Sequence, residues 1–454
     1  MRRYLPKVPA GRCPYLTFVS TGRPRRLPTL GAMKRSQLRR GAAALFLAAA
    51  LPLPLAATAV AAPAPPAVAA APAVAATPAV AATATRLTLP APTGPYAVGR
   101  DTLHLTDPRR RDPWVPAAGA RELMVSLYYP AHRGTGGARA PYMTTEEARL
   151  LLEGDRLTGV VAPEVLAGTR THARTGALPI GGRHPLVVLS PGFTLNRATL
   201  SLLAEELTSR GYVVALLDHA YESFGTTFPG GRTLTCVACR AVESAPESTA
   251  RKLMAKVATG RAADIRFVLD TLTGRGDGAS TDTGHGQGAP ARRYAGLVDP
   301  RRIGVAGHSI GGNSAASAMA ADRRIRAGVN MDGTFFAPVP PGGLDGRPFL
   351  LLGSLDGHAP AAEDTTWLRD WRRLDGWKRW LTVRDAGHFT FIDIPVLGAQ
   401  LGVTDPTAPL PGKRSGEITR DYVGAFFDRH LRGLPEPVLE GPTPDNPEVL
   451  FQRP

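Results

Sequence analysis

Apolar residues in this chain alternate between two periods. Short apolar runs occur at Leu123–Tyr129, Pro185–Leu189, Val213–Asp218, Ile303–Gly307, Ala327–Met331, Pro348–Gly353 and Trp380–Val383. Several have almost no polar alternation, the mark of strands covered on both faces. Between them the period lengthens. Leu200, Leu203 and Leu207 recur at helical spacing within Leu200–Arg210, and Thr199 stands where an N-cap is needed. Ala250–Leu272 is long and amphipathic, and Asp364–Arg373 and Glu417–Leu431 follow later strands. Strand alternating with helix predicts an α/β fold with a mostly parallel central sheet and helices on both faces.

The pattern is interrupted in three places. Residues 62–85 are almost entirely Ala, Pro, Val and Thr, with no apolar face that survives the prolines, and read as a linker. Residues 141–180 carry a capping box, Thr144-Thr145-Glu146-Glu147, that starts a helix through about Glu153. This segment reads equally as a cap over a site or as a long surface connection. The Gly-rich stretch Gly274–Gly288 reads as a surface loop, since apolar elements on both sides of it fit one sheet. The folded domain is therefore expected over residues 86–454.

Residues 1–61 hold 11 of the 54 Lys and Arg residues and none of the 38 acids. A basic patch ending at Arg39-Arg40 precedes an apolar run from Gly41 to about Leu55, and Ala59-Val60-Ala61 offers small residues to a peptidase. That order is a signal peptide. A membrane anchor is the rival, but Pro52 and Pro54 break the run. Met33 is the better start for such a leader, and Arg39-Arg40 lacks a convincing twin-arginine context. Removing the leader lowers the net charge from +16 to +5, with 43 bases against 38 acids. The remaining arginines are scattered, which argues against a nucleic-acid partner. Cys236 and Cys239, spaced Cys-Val-Ala-Cys, are expected to form a short-range disulfide in an exported chain. Their loop shows neither a helix N-terminus for a redox site nor further ligands for zinc.

The chemistry centres on Gly307-His308-Ser309-Ile310-Gly311, which fits the G-x-S-x-G turn between a strand and a helix. Arg302–Ala306 before it is a short apolar strand, and Asn313–Ala320 after it is a helix of small residues. A serine hydroxyl needs a base to become a nucleophile. Of the downstream histidines, His388 in Asp385-Ala386-Gly387-His388-Phe389 lies just after the last strand. His430 is expected on the solvated face of a helix, and His358 stands where an acid rather than a base belongs. Two acids are open, Asp332 and Asp356, each before a glycine at a strand end. The oxyanion donors expected are the amides of Ile310 and of Phe193, the latter in Ser190-Pro191-Gly192-Phe193. Asp218-His219 is read as pocket floor or strand-end packing.

These residues together resemble the α/β-hydrolases of the platelet-activating-factor acetylhydrolase group, of plasma and isoform II type, and particularly its secreted bacterial relatives. The resemblance runs from about Leu89 to Phe451. It is carried by Thr93-Gly94-Pro95-Tyr96, Arg121-Glu122-Leu123-Met124-Val125, Leu189-Ser190-Pro191-Gly192-Phe193, Asp218-His219-Ala220-Tyr221-Glu222, the serine turn, Asn330-Met331-Asp332-Gly333 and Gly387-His388-Phe389. It implies an α/β-hydrolase fold and Asp332 as the acid; a related polyesterase type would use Asp356. The expectation is a secreted serine ester hydrolase, without metal or organic cofactor, acting on a short-acyl phospholipid or a small ester. Membrane contact would arise only through a lipid substrate. A polyester or triacylglycerol hydrolase, an acyltransferase on the same residues, and a non-catalytic binding protein are the rivals; no sequence feature sets an oligomeric state.

Overall fold

The computed structural model describes residues 86–275 and 291–454. The expected leader, the linker and most of the Gly-rich stretch lie outside the described residues. Among the described residues, ten strands form one sheet. In chain order they are β1 (Ala97–Arg111), β2 (Ala120–Ala131), β3 (Arg174–Thr175), β4 (His184–Ser190), β5 (Val213–His219), β6 (Val298–His308), β7 (Ile325–Met331), β8 (Phe349–Ser354), β9 (Lys378–Val383) and β10 (Val449–Phe451). Their spatial order is β10-β9-β8-β7-β6-β4-β5-β2-β1-β3. The six strands from β9 across to β5 run parallel. β2 and β1 continue the sheet antiparallel, and β10 closes the far edge antiparallel to β9. The fold is an α/β-hydrolase fold.

Strand side chains alternate between the two faces, and each face has its own helices. Val187 and Leu189 of β4 join a core with Leu203 and Leu207 of α2 (Ser201–Ser209) and Tyr422 and Phe426 of α6 (Gly412–Arg432). Their neighbours Leu186 and Val188 face the other way, toward Ile265 and Leu269 of α4 (Glu247–Leu272) and Met319 of α5 (Ile310–Ala321). Because the parallel strands are buried on both faces, they read as continuous apolar runs. β1 is different. Leu103 and Leu105 are buried between polar residues, and this half-buried alternation gave no apolar run to detect.

Local chemistry departs from expectation at several points. Thr199 does not cap α2; it lies in a 3₁₀ turn and its hydroxyl donates to the Asn196 carbonyl. The capping box at Thr144 is formed, with the Thr144 hydroxyl accepting from the Glu147 amide and the Glu147 carboxylate accepting from the Thr144 amide. This opens α1 (Thr145–Gly154). Glu147 also accepts from the Thr227 amide, and none of residues 141–180 lines the pocket at Ser309. His430 is not on a solvated face. It packs against the rings of Trp377 and Phe426, and burial, with Arg429 and Arg379 nearby, pushes its pKa down to about 4. Cys236 and Cys239 form a disulfide, and Cys236 caps the N-terminus of α3 (Val237–Glu243), a helix start the sequence did not reveal. Among the described residues, no helix is long and apolar enough to cross a membrane.

Beneath the carboxyl ends of β7 and β8 lies an indole cluster. Trp380 is buried against Trp367 and Trp371, and its indole N–H donates to the His358 carbonyl at 2.8 Å. Trp380→Ala should cost about 3–5 kcal/mol of stability. Equilibrium urea unfolding checks this, and an unchanged midpoint would contradict the packing described.

Candidate active site

Ser309 is the single residue between β6 and α5. It adopts φ 56° and ψ −127°, which few non-glycine residues tolerate. Two close approaches compel the turn. A Cβ on Gly307 would lie 2.2 Å from the Gly311 carbonyl carbon, and one on Gly311 would lie 2.1 Å from the Ser190 carbonyl oxygen. The serine turn is therefore pressed against the loop that follows β4. The Ser309 amide donates to the Met331 carbonyl at 2.8 Å, tying the turn to β7.

His388 opens a 3₁₀ turn after β9. Its Nε2 lies 3.0 Å from the Ser309 hydroxyl, and its Nδ1 lies 2.7 Å from Asp332 Oδ2. A carboxylate only accepts, so Nδ1 carries the proton and Nε2 is left to accept from the serine. Asp332 follows β7, also at positive φ, and is buried. Its other oxygen accepts from the Ser354 amide at 2.6 Å and the Ser354 hydroxyl at 2.9 Å. Burial would raise the Asp332 pKa. The His358 ring 3.6 Å away, the His388 bond and charge, and the Ser354 amide outweigh it and hold the carboxyl well below the usual carboxylate range. Asp356 lies on the exposed side of the short helix Leu355–His358 and, among the described residues, makes no bond to His388.

The loop after β4 borders the same site. Phe193 lines the same pocket as Ser309. Among the described residues, neither the Phe193 nor the Ile310 amide has a protein acceptor. The pocket is walled by Phe193, Leu195, Met254, Phe336 and Phe389, with polar groups at its rim that include Arg251 and Glu363. Neither Asp218 nor His219 lines it. Asp218 accepts from the Arg197 amide and pairs with its guanidinium, while His219 bridges Ser190 and Asp264.

Sequence reasoning assigned no role at the site to two further histidines. His308, inside the serine motif, is fully buried and donates from Nε2 to the His388 carbonyl at 2.7 Å, anchoring that turn. His358 stacks on Trp367 with ring centroids 4.2 Å apart and faces Asp332 and Asp364. Both were visible as histidines, but the contacts that tie them to the site are long-range: His388 lies 80 positions from His308, and Asp332 lies 26 positions from His358.

Burial, with the adjacent His388, pushes the His308 pKa down from 6.5 to about 3. A group whose folded pKa is depressed stabilises the fold above its unfolded pKa, and this stability is lost as pH falls toward the folded value. His308 should therefore cost about 2 kcal/mol of stability between pH 6.5 and 5. His308→Gln, which keeps a donor toward His388, should lack that part of the loss. Denaturant unfolding of both proteins at the two pH values tests this; identical pH dependence would contradict it.

Comparison with known proteins bears on what this geometry serves. A solved ferulic acid esterase from Streptomyces cinnamoneus is 43% identical, with a TM-score of 0.66, covering 81% of this chain and 99% of that one. A probable 1-alkyl-2-acetylglycerophosphocholine esterase from Arthroderma benhamiae is 28% identical, covering 80% of this chain and 93% of its own. A platelet-activating factor acetylhydrolase from Cavia porcellus is 22% identical, covering 76% and 78%. Residues 81–403 match the model of the platelet-activating factor acetylhydrolase, isoform II, family, and the chain belongs to that family.

Proposed function

We propose that this ester hydrolase is a secreted enzyme that cleaves carboxylic esters through an acyl-enzyme on Ser309. The observation that carries the reading is the continuous hydrogen-bonded chain from the Ser309 hydroxyl through His388 to buried Asp332, at the wall of a pocket. His388 Nε2 takes the hydroxyl proton as Oγ attacks the ester carbonyl. Asp332, kept ionised, stabilises the imidazolium that forms. The amides of Phe193 and Ile310 meet the charge developing on the carbonyl oxygen. Collapse of the tetrahedral adduct breaks the bond to the leaving oxygen, which receives the proton from His388. Water then repeats the sequence on the acyl-enzyme, releasing the acid and restoring Ser309. Protons and bonds balance with water as the only second substrate.

Two substrate classes are supported. Family membership favours short-acyl phospholipids and small water-soluble esters. The similarity to a ferulic acid esterase, with the rings of Phe193, Phe336 and Phe389 on the pocket wall, favours small aromatic acyl groups. Both are compact acyl groups. Secretion rests on the leader pattern in residues 1–61.

Ser309→Ala should lower kcat by roughly 10⁴-fold or more, and Asp332→Ala by about 10⁴-fold. Asp356→Ala should stay within about threefold, since its side chain is exposed and makes no bond to His388. Steady-state kinetics on p-nitrophenyl acetate distinguishes the acids, and the opposite ranking would remove Asp332 from the mechanism. Across acetyl, butyryl, octanoyl and palmitoyl p-nitrophenyl esters, with methyl ferulate and a short-acyl phosphatidylcholine alongside, kcat/KM should fall with chain length. A rise with chain length would exclude the compact-acyl reading.

A further inference from the structure

Behind the loop that carries Phe193 lies a sealed set of ionisable groups that the reaction above does not use. Asp112, Arg121, Ser190, His219, Glu222, Arg261 and Asp264 are each at most 2% exposed. Three carboxylates face two buried guanidiniums, and Arg110 reaches Asp264 from the surface at 2.8 Å. Arg121 holds Asp112 and Asp264 at 2.8 Å and Glu222 at 3.2 Å. His219 donates from Nδ1 to Asp264, and its Nε2 lies 3.0 Å from the Ser190 hydroxyl. Ser190, His219 and Asp264 thus share the bonding order of Ser309, His388 and Asp332, but no substrate can reach them.

The member of this set whose side chain reaches the carbonyls of the reaction loop is Arg261, on α4. Its Nε donates to Glu222 at 2.7 Å. Its Nη1 donates to the Pro191 carbonyl at 2.6 Å, and its Nη2 lies 3.5 Å from the Gly192 carbonyl. The Gly192 carbonyl and the Phe193 amide belong to one planar peptide unit and point in opposite directions. A positive charge beside that carbonyl therefore fixes the direction of the Phe193 N–H. It also opposes the negative charge that the carbonyl oxygen gains when the N–H donates to an oxyanion. The loop needs such a hold. Thr194, next along, is β-branched and sits at φ 73°, a conformation that persists only where the surroundings compel it. Its amide donates to the carbonyl of Glu222, the residue that also grips Arg261.

We infer that Arg261, braced by Glu222, is a positioning residue that aims and polarises the Phe193 amide toward the ester oxyanion. This rests on the hydrolase reading above. The role belongs to the transition state, so its loss should fall on kcat and spare KM. Removing one buried partner alone leaves an unpaired charge and endangers folding. The double variant Arg261→Gln/Glu222→Gln removes both charges together and is measured beside Arg261→Lys and Arg261→Gln.

The folded variants are assayed on p-nitrophenyl acetate, and inhibition by an aryl trifluoromethyl ketone, whose hemiketal oxygen mimics the oxyanion, is measured in parallel. Arg261→Gln and the double variant should lose about 10- to 100-fold in kcat, with KM within about threefold. Ketone affinity should weaken by the same factor as kcat. Arg261→Lys, which keeps the charge and the reach to Pro191, should recover part of both. Values of kcat and ketone affinity within twofold of the parent in a folded variant overturn the inference, as does a loss confined to thermal stability or to KM. A fluorophosphonate probe separates the two levels. If it labels parental Ser309 while Arg261 proves dispensable, only this inference fails; if it does not label Ser309, the hydrolase reading fails and carries the inference with it.

Discussion

Everything at the site depends on the contact between two backbone turns. The serine turn after β6 and the loop after β4 meet where Gly311 abuts the Ser190 carbonyl, with no room for a methyl group. That contact leaves Ser309 at a backbone conformation costing on the order of 1–3 kcal/mol. The parallel sheet makes it possible: β4 and β6 are neighbours in register, with Ser190 beside Gly307, so both chain reversals occur at the same level. The neighbouring strand β7 brings Asp332 to that level, and β8 brings Ser354 to bond it.

Strain at Ser309 has companions. Thr194 and Asp332 also have positive φ; Thr194 follows Phe193, and Asp332 bonds His388. All are surrounded by buried polar groups rather than by apolar packing alone. Asp332 is held by Ser354 and by two histidines; the loop at Phe193 is held by Arg261. In a buried site each such bond is directional, and removing one partner leaves another unsatisfied. Apolar packing on both faces of the sheet supplies stability, while these polar networks set direction.

What could be read from the sequence follows from range. The parallel strands and the serine turn were legible because their signals are local: apolar runs buried on both faces, and glycines flanking a serine. β1 was not, because its two buried leucines alternate with polar residues. Asp332 and Asp356 were inseparable by spacing, since each precedes a glycine at a strand end. They differ in geometry: Asp332 turns inward at φ 54°, and Asp356 lies exposed on a helical turn. His308, His358 and Arg261 were visible as residue types, but His308 meets His388 80 positions away and Arg261 meets Glu222 and Pro191 39 and 70 positions away, a relation that periodicity does not encode. The family resemblance pointed toward Asp332 for reasons outside local pattern.

The most direct measurement is active-site labelling. The protein is treated with a fluorophosphonate, digested, and the adduct located by mass spectrometry, with His388→Ala treated in parallel. A single adduct on Ser309, formed rapidly in the parent and slowed at least 100-fold in His388→Ala, is the result this account predicts. No adduct in the folded parent, or an adduct on another serine, would contradict it.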